Sequence, residues 1–434
     1  MIKNLNKVAV GILILFATNA TAQSTGNSPY AHFGVGLLKG SLLPQSRAMG
    51  GISAGIRKRE GYSNINLTNI NISNPASYSS IDLTTFDVGA YTGIRELSNN
   101  SISEKSVNGT LSHVAFAVPV NRSSALSFGL LPYSDYGYNY RTTSKIGSEI
   151  TNAASVYTGE GGLSKAYLGY GFRISKNLSL GINAVYLFGN LKEVNSLEFP
   201  QDPTALNSSF QTSKSVSGLN VDYGLQYVVK TSAVTRLVLG YSGNSGSKIS
   251  SRISRLNSTY RYSNGDKSTT DTIAFVDGLS TKLTMPMTHT AGFAFERTNK
   301  WLIGADFNFG KWSNYREGTI YPKLHDNYGV NVGAQITPDI TAVSSYFKLV
   351  DYRLGFKYDR TYISVSNNDI KQMAFTFGFG FPLPPNRSTF YKINLSAELG
   401  QQGTLTNNLV RERYVNIHLG FTMNDRWFIK AKFD

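Results

Sequence analysis

Cysteine is absent from all 434 residues. Its absence excludes a disulfide framework, a thiolate metal site and a lipid anchor on an N-terminal cysteine. Charge is also scarce: Asp, Glu, Lys and Arg make up 16% of the chain, against about 25% in soluble proteins. No apolar run reaches the roughly 20 residues a membrane-crossing helix needs. The longest, Val8 to Phe16, falls well short. If the chain is integral to a membrane, it crosses with strands. The five histidines, His32, His113, His289, His325 and His418, are scattered with no ligand spacing, so no metal is expected. Gly34-Val35-Gly36 followed by Gly40 has the wrong spacing for a dinucleotide loop. No cofactor is expected.

What is present begins with an export signal. Lys3 and Lys7 precede the apolar run, and Ala20-Thr21-Ala22 supplies a small-residue cleavage pattern. Residues 1–22 therefore read as a signal peptide, with Gln23 as the mature N-terminus. Removing the two lysines lowers the formal charge from +15 to +13. No basic helix or RNA-binding signature accompanies that charge, so nucleic acid is not an expected partner. In an exported chain, a basic balance meets anionic headgroups and lipopolysaccharide phosphates first.

From Thr84 onward the chain becomes a series of period-2 segments separated by Gly, Asn, Ser and Asp. Trp301, Ile303, Ala305, Phe307 and Phe309 share one face, opposite Gly304, Asp306 and Asn308. Tyr352, Leu354, Phe356 and Tyr358 oppose Arg353 and Lys357. Phe375, Phe377, Phe379 and Phe381 alternate with Thr376, Gly378 and Gly380. Further on, Ile393, Leu395 and Leu399 oppose Lys392 and Glu398, and Ile417 and Leu419 flank His418. Each apolar row has the roughly 9–11 residues of a tilted strand crossing hydrocarbon. A soluble sandwich also alternates, but it rarely sets so many aromatics in succession on one face. Aromatic strand ends suit the interfacial girdles of an outer-membrane barrel.

The expected fold is all-β: a transmembrane antiparallel β-barrel of about fourteen strands spanning residues 82–423. Residues 424–434 form a tail or the end of the last strand. Polar stretches Ser98 to Asn108, Gly147 to Tyr157, Ser196 to Ser208 and Ser242 to Asp271 read as loops. Asn121-Arg122-Ser123 and Ser175-Lys176-Asn177 read as periplasmic turns. Residues 23–81 are rich in Gly, Ser and Asn and have too little apolar surface to fold alone. They are enough chain to fill the barrel interior as a plug or to line its periplasmic mouth.

Arg47-Ala48-Met49-Gly50-Gly51, with Ser73-Asn74-Pro75-Ala76 before the first strand, resembles the hatch of the FadL family of outer-membrane channels. Lys282-Leu283-Thr284-Met285-Pro286, Thr290-Ala291-Gly292-Phe293, the stretch Ala305 to Tyr315 and Tyr352 to Tyr358 follow in an order similar to that family. The tail Asp425-Arg426-Trp427-Phe428 looks like barrels of the Bacteroidetes. The resemblance implies fourteen strands around an N-terminal plug. It also implies passive uptake of hydrophobic or amphipathic compounds such as fatty acids, with exit sideways through the wall. Relatives of that style also include a barrel serving a protein-secretion machine. A non-transporting subunit of an outer-membrane secretion or assembly complex, with a protein partner, is thus the second expectation.

Candidate site residues follow. Proline sets a rigid turn at Asn74-Pro75-Ala76 and holds Asn74 extended; this is an ordinary turn or, as the resemblance implies, a plug latch. Arg353 and Lys357 are candidate ligands for an anionic headgroup. They also lie near enough in pattern to Asp351, Asp306 and Glu398 to be neutralised there. No catalytic residue is expected. Gly51-Ile52-Ser53-Ala54-Gly55 has the form of a nucleophile elbow but lacks the strand-turn-helix context. Ser396 and His418, on adjacent expected strands, are the nearest approach to a hydrolase pair.

Overall fold

The computed structural model describes residues 27–58, 69–99, 103–146, 151–202, 204–263, 266–320, 322–365, 367–386 and 389–427. The expected signal peptide, and Arg59 and Glu60 of the plug, lie outside these residues.

In lipid every backbone N–H and C=O needs an internal partner, so a sheet can span a membrane only by closing on itself. Fourteen antiparallel strands do so here. In chain order they are β1 (Thr84–Ser98), β2 (Ser103–Asn121), β3 (Ser124–Pro132, resuming as Tyr138–Ile146), β4 (Thr151–Arg173), β5 (Leu178–Glu198) and β6 (Asn207–Lys230). Then come β7 (Thr235–Asn244, resuming as Ser247–Ser263), β8 (Asp266–Met285, resuming as Thr288–Arg297) and β9 (Trp301–Gly310, resuming as Arg316–Glu317). The last five are β10 (Asn327–Ile336), β11 (Asp351–Val365), β12 (Asn368–Pro382), β13 (Phe390–Gly403) and β14 (Arg411–Asp425). Each strand pairs with the next, and β1 pairs with β14 from Thr84↔Asp425 to Ser98↔Arg411.

The alternation read from the sequence matches the two faces of this wall. Ile303, Phe307, Leu354, Phe375, Phe377 and Leu399 face outward and are exposed. Asp306, Arg353, Lys392, Glu398 and His418 are buried inside. Strand β1 begins and β14 ends at the rim that carries Asn121-Arg122-Ser123 and Ser175-Lys176-Asn177. Strands of up to 24 residues project from the opposite rim, which makes the first rim the periplasmic side.

Three loop expectations are corrected. Ser242 to Asp271 is mostly sheet: β7 runs to Ser263 and β8 starts at Asp266. Strand β2 begins at Ser103 and β4 at Thr151, inside the other two expected loops. These extensions stand above the apolar belt, where no lipid selects an apolar outer face: Lys248, Ser250 and Arg252 are exposed between buried Ile249, Ser251 and Ile253. Hydrophobic alternation therefore fades while the hydrogen-bonded ladder continues. Strand β3 is broken between Pro132 and Tyr138.

Candidate functional site

The lumen is filled by the chain's own N-terminal segment, residues 27–58 and 69–83. Wall glycines let the two backbones touch. A Cβ on Gly333 would sit 2.1 Å from the Met49 carbonyl oxygen, and one on Gly355 would sit 2.1 Å from the Gly50 nitrogen. Buried wall side chains then satisfy the plug's backbone groups. Asp306 accepts from the N–H of Ser53 (2.6 Å) and of Ala54 (2.9 Å). Thr376 accepts from Gly50 N–H at 2.8 Å. Gln226 donates to the carbonyls of Ala54 and Ile56, and Arg236 to that of Lys58.

Asn74 sits where plug and wall meet. Its carboxamide oxygen accepts from Ala76 N–H at 3.2 Å, capping the short 3-10 helix Pro75–Ser80. Its Nδ2 donates to the Ala54 carbonyl at 2.8 Å, tying together two parts of the plug. It also reaches the β6 and β7 carbonyls of Leu225 and Tyr241, both at 3.4 Å. Pro75 packs on Gly171 and Gly181, either of which would clash with it if it carried a Cβ.

Arg353 and Lys357 lie on one strand but in different surroundings. Arg353 bonds to Asp351 (2.9 Å), Asn394 (2.8 Å) and Gln335 (2.9 Å), and Lys392 joins the same carboxylate at 2.7 Å. Lys357 pairs with Glu398 at 2.6 Å and lines a lumen cavity of about 330 Å³. Lys39, Arg47, Arg95 and His418 line that cavity too. Arg95 pairs with Glu412 at 2.8 Å and Lys39 with Asp135 at 3.2 Å, so opposite charges largely offset one another there.

The wall is interrupted beside the plug. Strand β2 pairs with β3 only between Val114↔Leu130 and Asn121↔Ser124. Among the described residues Tyr138–Ile146 pairs only with β4, so on that side the outer part of β2 has no strand beside it. The plug occupies the interval. Asn27 donates to Glu104 of β2 at 3.3 Å and accepts from Asn139 N–H of β3 at 2.9 Å. Ser28 N–H donates to the Gly137 carbonyl at 3.1 Å. Leu37–Leu38 pairs with Ser134–Asp135 where β3 is broken.

Ser396 and His418 are register partners, but among the described residues neither the Ser396 hydroxyl nor the His418 ring has a hydrogen-bond partner. Ser53 donates to Asp306, and no imidazole is placed on it. A polar cluster missed in the sequence is Asp87, Ser112 and His113. His113 Nε2 lies 2.6 Å from Asp87 Oδ1, and its Nδ1 lies 3.2 Å from Ser112 Oγ. A bulge at Ser112 lets Ser112 and His113 both point inward. Two successive polar residues between Leu111 and Val114 were the available signal. Among the described residues, no three His, Asp or Glu side chains come together as metal ligands.

The BamG family model matches residues 1–434. The chain belongs to the BamG family. No curated protein matches its sequence. Solved structures similar to this BamG-family barrel include the toluene transporter TodX of Pseudomonas putida. That structure is 16% identical, covering 91% of this chain and 100% of its own, with a TM-score of 0.55. The toluene transporter TbuX of Ralstonia pickettii is 13% identical over 89% and 98%, also at 0.55. A FadL homologue of Pseudomonas aeruginosa is 10% identical over 90% and 100%, at 0.56. At these identities the likeness concerns the fold: the FadL-like, plugged outer-membrane barrel is shared by chains whose names describe transporters.

Proposed function

We propose that this BamG-family barrel is a sealed, non-transporting subunit of an outer-membrane protein secretion or assembly complex. The observation that carries this reading is the occupied lumen. The plug is hydrogen-bonded to the wall through buried groups, and the remaining cavity sets Lys39, Arg47, Arg95 and Lys357 among apolar side chains such as Leu38 and Leu42. An apolar solute crossing it would have to unmake several such bonds, each costing about 1–3 kcal/mol when a buried group is left unpaired. Purification of the full chain from native membranes in mild detergent tests the reading. A stoichiometric complex with another protein is expected; an isolated barrel carrying bound lipid would overturn it.

Passive uptake of hydrophobic or amphipathic compounds, fatty acids among them, is the second reading. The wall interruption between β2 and β3 favours it, together with the fold held in common with hydrocarbon transporters. Under this reading residues 27–38 move aside, Asn74-Pro75-Ala76 latches the plug, and Lys357 with Arg353 holds an anionic headgroup. Uptake of a radiolabelled fatty acid or toluene by proteoliposomes tests it, and a rate equal to protein-free vesicles would sink it. In both readings the outer belt meets lipid and lipopolysaccharide, a signal peptide ending at Ala22 is removed, and the source is a Bacteroidetes-like bacterium.

A further inference from the structure

Above the apolar belt, the outer parts of β6, β7 and β8 form a projecting sheet. Ser247–Ser263 of β7 pairs with β6 on one side and with Asp266–Met285 of β8 on the other. Strand β8 is thus the outermost of the three. Among the described residues, the strand paired on its far side is Arg316–Glu317, opposite Leu283 and Thr284, and the N–H of Gly318 donates to the Lys282 carbonyl. Among the described residues, Asp266 to Ser280 presents an edge with no strand beside it.

Edges of this kind template pairing with another chain, and proteins usually blunt them with proline or charge. This edge has no proline, and Thr272 to Val276 carries no charge. Ile273 (65%), Phe275 (63%), Val276 (51%) and Leu279 (48%) are exposed. Lipid does not account for them, because β8 crosses the belt with Thr288–Arg297, opposite Trp301–Gly310.

We propose that the Asp266–Ser280 edge docks an extended segment of a different protein, which adds to the sheet as one more strand at the cell surface. The proposal rests on the subunit reading above. Backbone bonds would set the register, and apolar side chains of the incoming strand would cover Ile273 and Phe275. Asp266, Asp271 and Asp277 lie exposed on the edge strand itself, against the single Lys267, so basic side chains on that segment complement them. A second copy is disfavoured by symmetry. Two barrels in one membrane are related by an axis along the membrane normal, which makes their β8 edges parallel and sets each residue level with itself. A parallel ladder requires residues at one level to point to the same face, whereas that axis turns them to opposite faces.

The experiment compares amide hydrogen exchange in the complex purified from native membranes with exchange in the barrel stripped of its partners. Amides within 266–280 should exchange at least tenfold more slowly in the complex. The double variant Ile273→Lys, Phe275→Lys should lose the partner while keeping the heat-modifiable gel mobility of a folded barrel. If a partner co-purifies but exchange is unchanged and the variant retains it, the edge proposal fails and the subunit reading stands. If no partner co-purifies, both fail. Protection arising solely from a second copy of the chain overturns the edge proposal.

Discussion

Ser53 of the plug directs both its backbone N–H and its hydroxyl at one carboxylate oxygen of Asp306, at 2.6 and 3.3 Å, inside the barrel wall. The same oxygen accepts the N–H of Ala54 at 2.9 Å. A serine in a Gly-x-Ser-x-Gly setting is here a structural donor, and an inward acid on β9 is the group that anchors it.

Replacing Asp306 with alanine should therefore loosen the plug. Two buried N–H groups would lose their acceptor, at about 1–3 kcal/mol for each group left unpaired. The temperature at which the folded gel band converts to the unfolded one should fall clearly. Asp306→Asn keeps an acceptor and should fall less; equal losses would contradict the hydrogen-bond account.

Gly333→Val tests the close approach of plug and wall. A side chain there would meet the Met49 carbonyl carbon as well as its oxygen, at 2.6 and 2.1 Å. The barrel strands should still form, since valine favours strands, while the plug should be displaced. Faster proteolysis within residues 40–80, with the barrel core left resistant, is the expected result.

Lys357 and Glu398 form a pair whose Glu398 side chain is only 5% exposed. Lys357→Met should destabilise the barrel by about 3–5 kcal/mol, because breaking a buried pair strands the other charge. Adding Glu398→Gln should recover much of the loss. Thermal melts of the two variants in detergent decide the matter: a double variant no more stable than the single one would show that the pair is not the cause.

The seal between β2 and β3 can be removed without touching a strand of the barrel. Deleting residues 27–33 takes away the Asn27 bridge and the Ser28 bond to Gly137. Ion conductance in planar bilayers should rise from near baseline to a measurable level. An unchanged baseline would mean that the deeper part of the plug closes the lumen alone.

Asn74→Ala should act mainly on the plug's own shape. It removes the 3-10 helix cap and the tie to the Ala54 carbonyl, a cap loss worth about 1 kcal/mol. Increased exchange of the Ala76 and Ser77 amides, with little change in the strands, is the expected signature.

Much of the wall was legible in the chain because its cause is local. Where one face meets lipid and the other the lumen, side chains must alternate at period 2, as Phe375, Phe377 and Phe379 do against Thr376 and Gly378. The projecting hairpin of β7 and β8 was misread as a loop because its outward positions meet water rather than lipid and carry polar residues such as Lys248, Ser250 and Arg252, although Ile249, Ile253 and Tyr260 are buried. The inward clustering of Asp87 with His113 depended on a bulge, visible in the sequence as no more than two adjacent polar residues.

By itself the sequence determined the class of the fold, the lipid-facing rows and the segment set aside to fill the lumen. The tertiary structure alone decided how β1 meets β14, where β3 breaks, and which carboxylate holds which plug amide. Alternation is a property of neighbours two residues apart and can be read along the chain. Strand register, the wall gap and the Asp306 anchor join residues hundreds of positions apart, and close packing in the folded barrel brings them together.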